Sequence, residues 1–171
     1  MKKIKKACCT ALIVGMMLPQ VITCGAVSAA SGTWKHNAKG WWYSYSDGSY
    51  AKSTWEKIGG EWYYFDSNGY MVTGWNQIGK KWYYFNTSGV MVTGWKQIGK
   101  KWYFFNTSGV MVTGWKQIGK KWYFFNSSGN MVTGWKQIQN DWYYFNADGS
   151  MLANGITPDG YQIGADGKML K

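Results

Sequence analysis

Tryptophan and tyrosine, 13 of each in 171 residues, are the side chains here able to do chemistry. A ring's π-face attracts a weakly hydrated cation and offers a platform for stacking. One tryptophan series runs Trp42, Trp62, Trp82, Trp102, Trp122, Trp142; a second runs Trp55, Trp75, Trp95, Trp115, Trp135, and Trp34 and Trp41 complete the set. In a strand successive side chains point to opposite faces. In Trp102-Tyr103 the tryptophan therefore faces one neighbouring unit and the tyrosine the other. Each cleft between units is then expected to be walled by two tryptophans of one unit and the first tyrosine of the next. The sets are Trp34, Trp42 and Tyr63; Trp55, Trp62 and Tyr83; Trp75, Trp82 and Tyr103; Trp95, Trp102 and Tyr123; Trp115, Trp122 and Tyr143; and Trp135, Trp142 and Tyr161. A methionine follows each second strand (Met71, Met91, Met111, Met131, Met151), and its adaptable thioether is suited to floor a cleft. Three converging π-faces suit a methylated cation.

The elements that must hold these rings in place come from a repeat. TGWNQIGKKWYYFNTSGVMV from Thr73 is followed by TGWKQIGKKWYFFNTSGVMV and TGWKQIGKKWYFFNSSGNMV, a period of 20 residues. Such self-similarity marks units that bury their apolar faces only by stacking. Gly94-Trp95-Lys96-Gln97-Ile98 and Lys101-Trp102-Tyr103-Phe104-Phe105 read as two strands joined by Gly99-Lys100, a two-residue hairpin turn with glycine supplying the positive φ. Gly59-Gly60 and Gly79-Lys80 repeat this device, and at Gln139-Asn140 the asparagine is the expected tolerant residue. Asn106-Thr107-Ser108-Gly109 and its equivalents follow each second strand and read as turns. Phe65, Phe85, Phe105, Phe125 and Phe145, with Ile58, Ile78, Ile98 and Ile118, are the expected core. The competing reading makes the Trp and Tyr sets core as well, although tryptophan is a costly choice where Leu or Val would pack.

Composition removes several function classes. Residues 1–30 have a basic start, an apolar middle and the small-residue exit Ala26-Val27-Ser28-Ala29-Ala30, the order of a secretory signal peptide rather than a permanent membrane span. All three cysteines (Cys8, Cys9, Cys24) lie there, so the exported chain is expected to hold no disulfide, thiolate metal site or cysteine nucleophile. Fifteen lysines and no arginine then stand against eight acidic residues, a basic surface suited to anionic polymers. His36 is the single histidine, which leaves no histidine triad or His-rich metal centre. The acids sit mostly in turns, with no pair placed on facing strands for glycoside hydrolysis. Export and the lack of arginine argue against single-stranded nucleic acid as partner. No enzyme activity, metal or cofactor is expected.

The phrase Thr-Gly-Trp-x-x-Ile-x-x-x-Trp-Tyr-Tyr/Phe-Phe-Asn/Asp resembles the cell-wall-binding repeat family, which includes choline-binding modules, over about residues 34–171. The resemblance implies that two tryptophans of one repeat and a tyrosine of the next, often with a methionine, surround choline of teichoic or lipoteichoic acid. It points to Trp55, Trp62, Tyr83, Trp75, Trp82, Tyr103, Trp95, Trp102, Tyr123, Trp115, Trp122, Tyr143, Trp135, Trp142 and Tyr161, with Met91, Met111 and Met131. Related repeats in glucan-binding domains and clostridial toxins bind carbohydrate, which keeps lectin-like binding of a surface glycan as the alternative. Gln77, Gln97, Gln117 and Gln137 are its candidate hydrogen-bonding groups.

The expected organisation is thus an all-β solenoid of stacked two-stranded hairpins, a non-catalytic module attached to the cell surface. Residues 1–30 are the signal peptide, 31–54 a divergent first repeat with an eight-residue Trp34 to Trp42 spacing, 55–154 the regular repeats and 155–171 a capping repeat.

Overall fold

The computed structural model describes residues 31–170; the expected signal peptide lies outside the described residues. Seven antiparallel hairpins follow one another. They are β1–β2 (Gly32–Asn37, Gly40–Tyr45), β3–β4 (Thr54–Ile58, Glu61–Phe65), β5–β6 (Gly74–Ile78, Lys81–Phe85), β7–β8 (Gly94–Ile98, Lys101–Phe105), β9–β10 (Gly114–Ile118, Lys121–Phe125), β11–β12 (Gly134–Ile138, Asp141–Phe145) and β13–β14 (Gly155–Ile156, Gln162–Ile163). Among the described residues there is no helix.

The expected turn chemistry explains why each hairpin closes where it does. Gly99 takes φ +63°, the left-handed region that glycine enters without a Cβ penalty. In the turn after β11 it is Gln139, at φ +56°, that takes this conformation. This corrects the assignment to Asn140: the strained position is the first of the two turn residues, whatever side chain stands there. After the second strands an asparagine or aspartate folds the chain back. Asn106 Oδ1 accepts hydrogen bonds from Ser108 N (2.9 Å) and Val110 N (3.0 Å), and Gly109 N donates to the Asn106 carbonyl.

Stacking is achieved partly by the backbone. Met91 N donates to the carbonyl of Trp62 in the preceding hairpin (2.8 Å), and the bond recurs from Met71 to Trp41, Met111 to Trp82, Met131 to Trp102, Met151 to Trp122 and Met169 to Trp142. Met71, Met91, Met111, Met131 and Met151 also lie against the glycine of the next turn, as Met91 on Gly109 and Met111 on Gly129, where a Cβ would collide. The core is a single file of rings. Phe65, Phe85, Phe105, Phe125 and Phe145 are fully buried, and each lies beneath a tryptophan of the preceding hairpin, as Phe125 does under Trp95 (5.6 Å). Ile58, Ile78, Ile98 and Ile118 are only half-buried, because they end their strands one residue before the turn.

The first hairpin corrects the sequence register. Trp34 pairs with Tyr43 and His36 with Trp41, just as Trp55 pairs with Tyr64 and Lys57 with Trp62. Trp41 is therefore the second tryptophan of this unit at the regular spacing, and Trp42 occupies the place of the first tyrosine. At the other end Ile163, 3% exposed, stands where earlier units place phenylalanine. Ile156 takes the tryptophan place and is 67% exposed, since no further described hairpin lies over it.

Candidate ligand-binding clefts

The two tryptophans of a unit share one face of their hairpin, because Trp95 and Trp102 lie on opposite strands with the alternation in phase. Their rings meet at a right angle: 6.4 Å and 83° for Trp95–Trp102, 6.5 Å and 84° for Trp55–Trp62, 6.3 Å and 82° for Trp75–Trp82, 6.3 Å and 85° for Trp115–Trp122, 6.3 Å and 84° for Trp135–Trp142. The first tyrosine of the following unit adds the third wall. Tyr83 lies 4.9 Å from Trp55, Tyr103 4.9 Å from Trp75, Tyr123 5.0 Å from Trp95, Tyr143 4.9 Å from Trp115 and Tyr161 5.5 Å from Trp135.

Four of these corners enclose open hollows of about 400, 390, 440 and 370 Å³. The first is completed by Met91, Thr107 and Ser108, the second by Met111, Ser127 and Ser128, the third by Met131, Ala147 and Asp148. The fourth, around Trp135, Trp142 and Tyr161, adds Met169 and Asp159. The structure thus brings together every expected Trp, Trp and Tyr set from Trp55 onward, and places Met91, Met111 and Met131 in the clefts. The first set changes: Trp34 meets Tyr63 at 5.0 Å, but Trp41 replaces Trp42, and its ring lies on His36 at 4.7 Å.

The rival readings of the tryptophans, core or ligand contact, separate by position. The first tryptophan of a pair is half-buried on the phenylalanine of the next unit, so it is both core and cleft wall. The second is not core: Trp62, Trp82, Trp102 and Trp142 are all 42% exposed. An exposed indole held at one angle in unit after unit is an apolar surface kept available.

Sequence reasoning missed the turn residues, which reach the first three hollows from two units further on and the last from the turn of the next hairpin. Among them are two carboxylates. Asp148 accepts from the Ser150 hydroxyl and from Lys121 Nζ (2.9 Å); these bonds hold its carboxyl at about 2, well below the usual range. Asp159 lies in the last cleft and is also shifted down, by hydrogen bonds from Thr157 and from the Trp135 indole, whose Nε1 donates to it at 2.8 Å. Both are therefore anionic at neutral pH beside aromatic walls; Lys121 balances the Asp148 charge, so the Coulombic attraction for a cation is greatest in the Asp159 cleft. Among the described residues no group of His, Cys, Asp or Glu is placed to hold a metal ion.

Comparison with known proteins places this arrangement. The model of the choline-binding repeat matches residues 51–93, 72–113, 92–132 and 112–156. The fold is similar to choline binding protein F of Streptococcus pneumoniae, crystallised in the presence of a peptidoglycan analogue, with TM-score 0.78 and 40% identity over 82% of this chain and 47% of that one. It is also similar to the multimodular pneumococcal cell-wall endolysin from phage Cp-1 complexed with choline, with TM-score 0.53 and 44% identity over 77% of this chain and 40% of the endolysin. A 30-residue stretch is 53% identical to the lysozyme of Streptococcus phage Cp-1, covering 18% of this chain and 9% of the lysozyme. The chain spans about half the length or less of these relatives. Four overlapping matches, on hairpins that repeat the same right-angled ring geometry, show that the chain belongs to the choline-binding repeat family.

Proposed function

We propose that the protein attaches non-covalently to the bacterial cell surface by holding choline of teichoic or lipoteichoic acid in the clefts between hairpins. The observation that carries this reading is the right-angled tryptophan pair, closed by a tyrosine and a methionine of the next unit and repeated along the chain. Trp55, Trp62, Tyr83 and Met91 act as one cage, and the sets beginning at Trp75, Trp95, Trp115 and Trp135 as further ones. A trimethylammonium group spreads its charge over methyl carbons and loses little hydration on entering such a corner. Three faces at about 1–2 kcal/mol each give about 3–6 kcal/mol before losses, a dissociation constant near millimolar. Weak sites in series on one chain hold a polymer with repeated cholines much more tightly, through effective concentration.

The glycan alternative needs directional hydrogen-bonding groups beside the rings, for which Gln77, Gln97, Gln117 and Gln137 are the candidates. Gln97 and its equivalents are exposed on the strands, and the four hollows are lined by hydroxyls, methionine and carboxylates instead. In the last cleft the Asp159 carboxylate beside the aromatic walls favours a cation over a neutral sugar. In this reading the module itself carries no catalysis and is secreted to the wall. The test is retention of the folded protein on a choline-substituted resin, with elution by free choline. Failure to be retained at low salt, or elution by salt alone with no effect of choline, refutes it.

A further inference from the structure

A fifth hollow, of about 260 Å³, lies at the N-terminal end and is lined by Asn37, Trp42, Tyr50, Asn68, Gly69 and Tyr70. Its origin follows from the register. Trp42 stands in the place of the first tyrosine, and Tyr50, bridged to Ser44 as Met71 is to Phe65, stands in the methionine place. In every later cleft these two positions face a tryptophan pair from the preceding hairpin. Here β1–β2 is the first described hairpin, and residues 1–31 contain no aromatic residue to supply such a pair.

Substitutions away from the repeat rebuild the missing walls. Position 70 is tyrosine, whereas the equivalent positions are Val90, Val110, Asn130 and Ser150. Gly40 replaces the charged residue that opens later second strands (Glu61, Lys81, Lys101), and a Cβ at this position would stand in ordinary contact with the Tyr70 ring. Asn37 Nδ2 donates to the Tyr70 hydroxyl at 3.2 Å, and Asn37 Oδ1 is held in turn by the backbone N–H groups of Lys39 and Gly40. Tyr70 is thus fixed at both its ring and its hydroxyl. Its plane meets Trp42 at 89° with centroids 6.3 Å apart, matching the 6.3–6.5 Å and 82–85° of the tryptophan pairs. The Tyr50 ring rests on Gly69 where Met71 rests on Gly89, adding a third π-face in place of the thioether. Tyr50 is 47% exposed, so these rings do not close the end of the stack as a dry cap would.

From this match we infer that Trp42, Tyr50 and Tyr70 form a further cage for a methylated ammonium group, built from residues outside the repeated phrase. The inference rests on the choline reading of the repeat clefts. The amides of Asn37 and Asn68 line the rim where later clefts carry Thr107 and Ser108, and they suit a ligand whose cationic head carries a hydroxyl or an ester oxygen.

The test is an NMR titration of the indole N–H signals of the intact exported chain with choline chloride. Trp42 is assigned by its loss in Trp42→Tyr, and Trp102 reports on a repeat cleft. Both signals should shift and saturate at millimolar choline. Tyr70→Val, which installs the residue that the fold accepts at 90 and 110, should weaken the Trp42 response about tenfold and leave Trp102 unchanged. A responding Trp102 beside a silent Trp42 overturns this inference alone. Silence of both overturns the choline reading and this inference with it. A Trp42 response to methyl α-D-glucopyranoside but not to choline overturns the ligand class, and an unchanged Trp42 midpoint in Tyr70→Val overturns the assignment of the walls.

Discussion

Truncating Trp102 to Ala should weaken one cleft with little effect on folding, whereas truncating Phe105 should do the reverse. Trp102 is 42% exposed, and its ring meets Trp95 of the same hairpin at 6.4 Å. Its structural bond to the next unit is made by the backbone carbonyl, which accepts from Met131 N and survives the substitution. The stability cost should be about 1 kcal/mol. Phe105 is fully buried beneath Trp75 at 5.6 Å, and emptying that space should cost about 3–5 kcal/mol. Binding inverts the order. One of three π-faces contributes about 1–2 kcal/mol, so choline should bind about 5- to 30-fold more weakly in the cleft of Trp95. Retention averages over many clefts and blunts this change. The assay is therefore the choline midpoint of the Trp95 indole N–H, with Trp75 in the preceding cleft as internal control, beside denaturant unfolding of both variants. An unchanged Trp95 midpoint in folded Trp102→Ala, or equal destabilisation by the two substitutions, would refute the division into exposed wall and buried core.

Other consequences follow from the same geometry. Gly99→Ala should cost about 1 kcal/mol through its φ of +63° alone, since open space surrounds it. Gly109→Ala should cost more, because it also displaces Met91, and it should weaken choline binding in the Trp55 cleft; paired unfolding and titration curves check this. The Asp148 carboxyl is depressed to about 2 in the folded chain, against about 3.9 unfolded, so its stabilising contribution is complete above the unfolded value and lost as pH falls through about 2. The difference in melting temperature between the protein and Asp148→Asn should therefore be constant above about pH 5 and shrink progressively as pH falls through about 2. Free choline binding should change little between about 0.1 M and about 1 M salt, while adhesion to an anionic polymer, which also uses the lysines, should fall.

Most of the repeat architecture was legible because a 20-residue period carries its own register: once Trp95, Trp102 and Tyr103 alternate on two strands, their faces are fixed. What escaped has physical reasons. The first hairpin offers two adjacent tryptophans, and only the pairing of His36 with Trp41 shows which one stands opposite the strand. Thr107, Ser108 and Asp148 reach their clefts across two units, and Asp159 reaches its cleft from a turn; strand alternation within one hairpin says nothing about either kind of contact. Gln139 entered the left-handed region because the turn position required it, although its neighbour Asn140 has the greater intrinsic tolerance. The hollow at Trp42 was hidden because its walls are departures from the repeat, and departures have no period.

If each regular repeat contributes one choline cage, deleting Thr93 to Val112 should remove one cage and leave the others intact. The deletion removes one whole period, including Trp95, Trp102, Tyr103 and Met111, and joins Val92 to Thr113 in register. Calorimetric titration with choline should then give one site fewer at unchanged affinity per site, while retention on cell walls falls by a larger factor because avidity compounds across sites. An unchanged stoichiometry in the folded deletion variant would contradict the account, for it would mean that the tryptophan pairs are packing alone and that choline is held elsewhere.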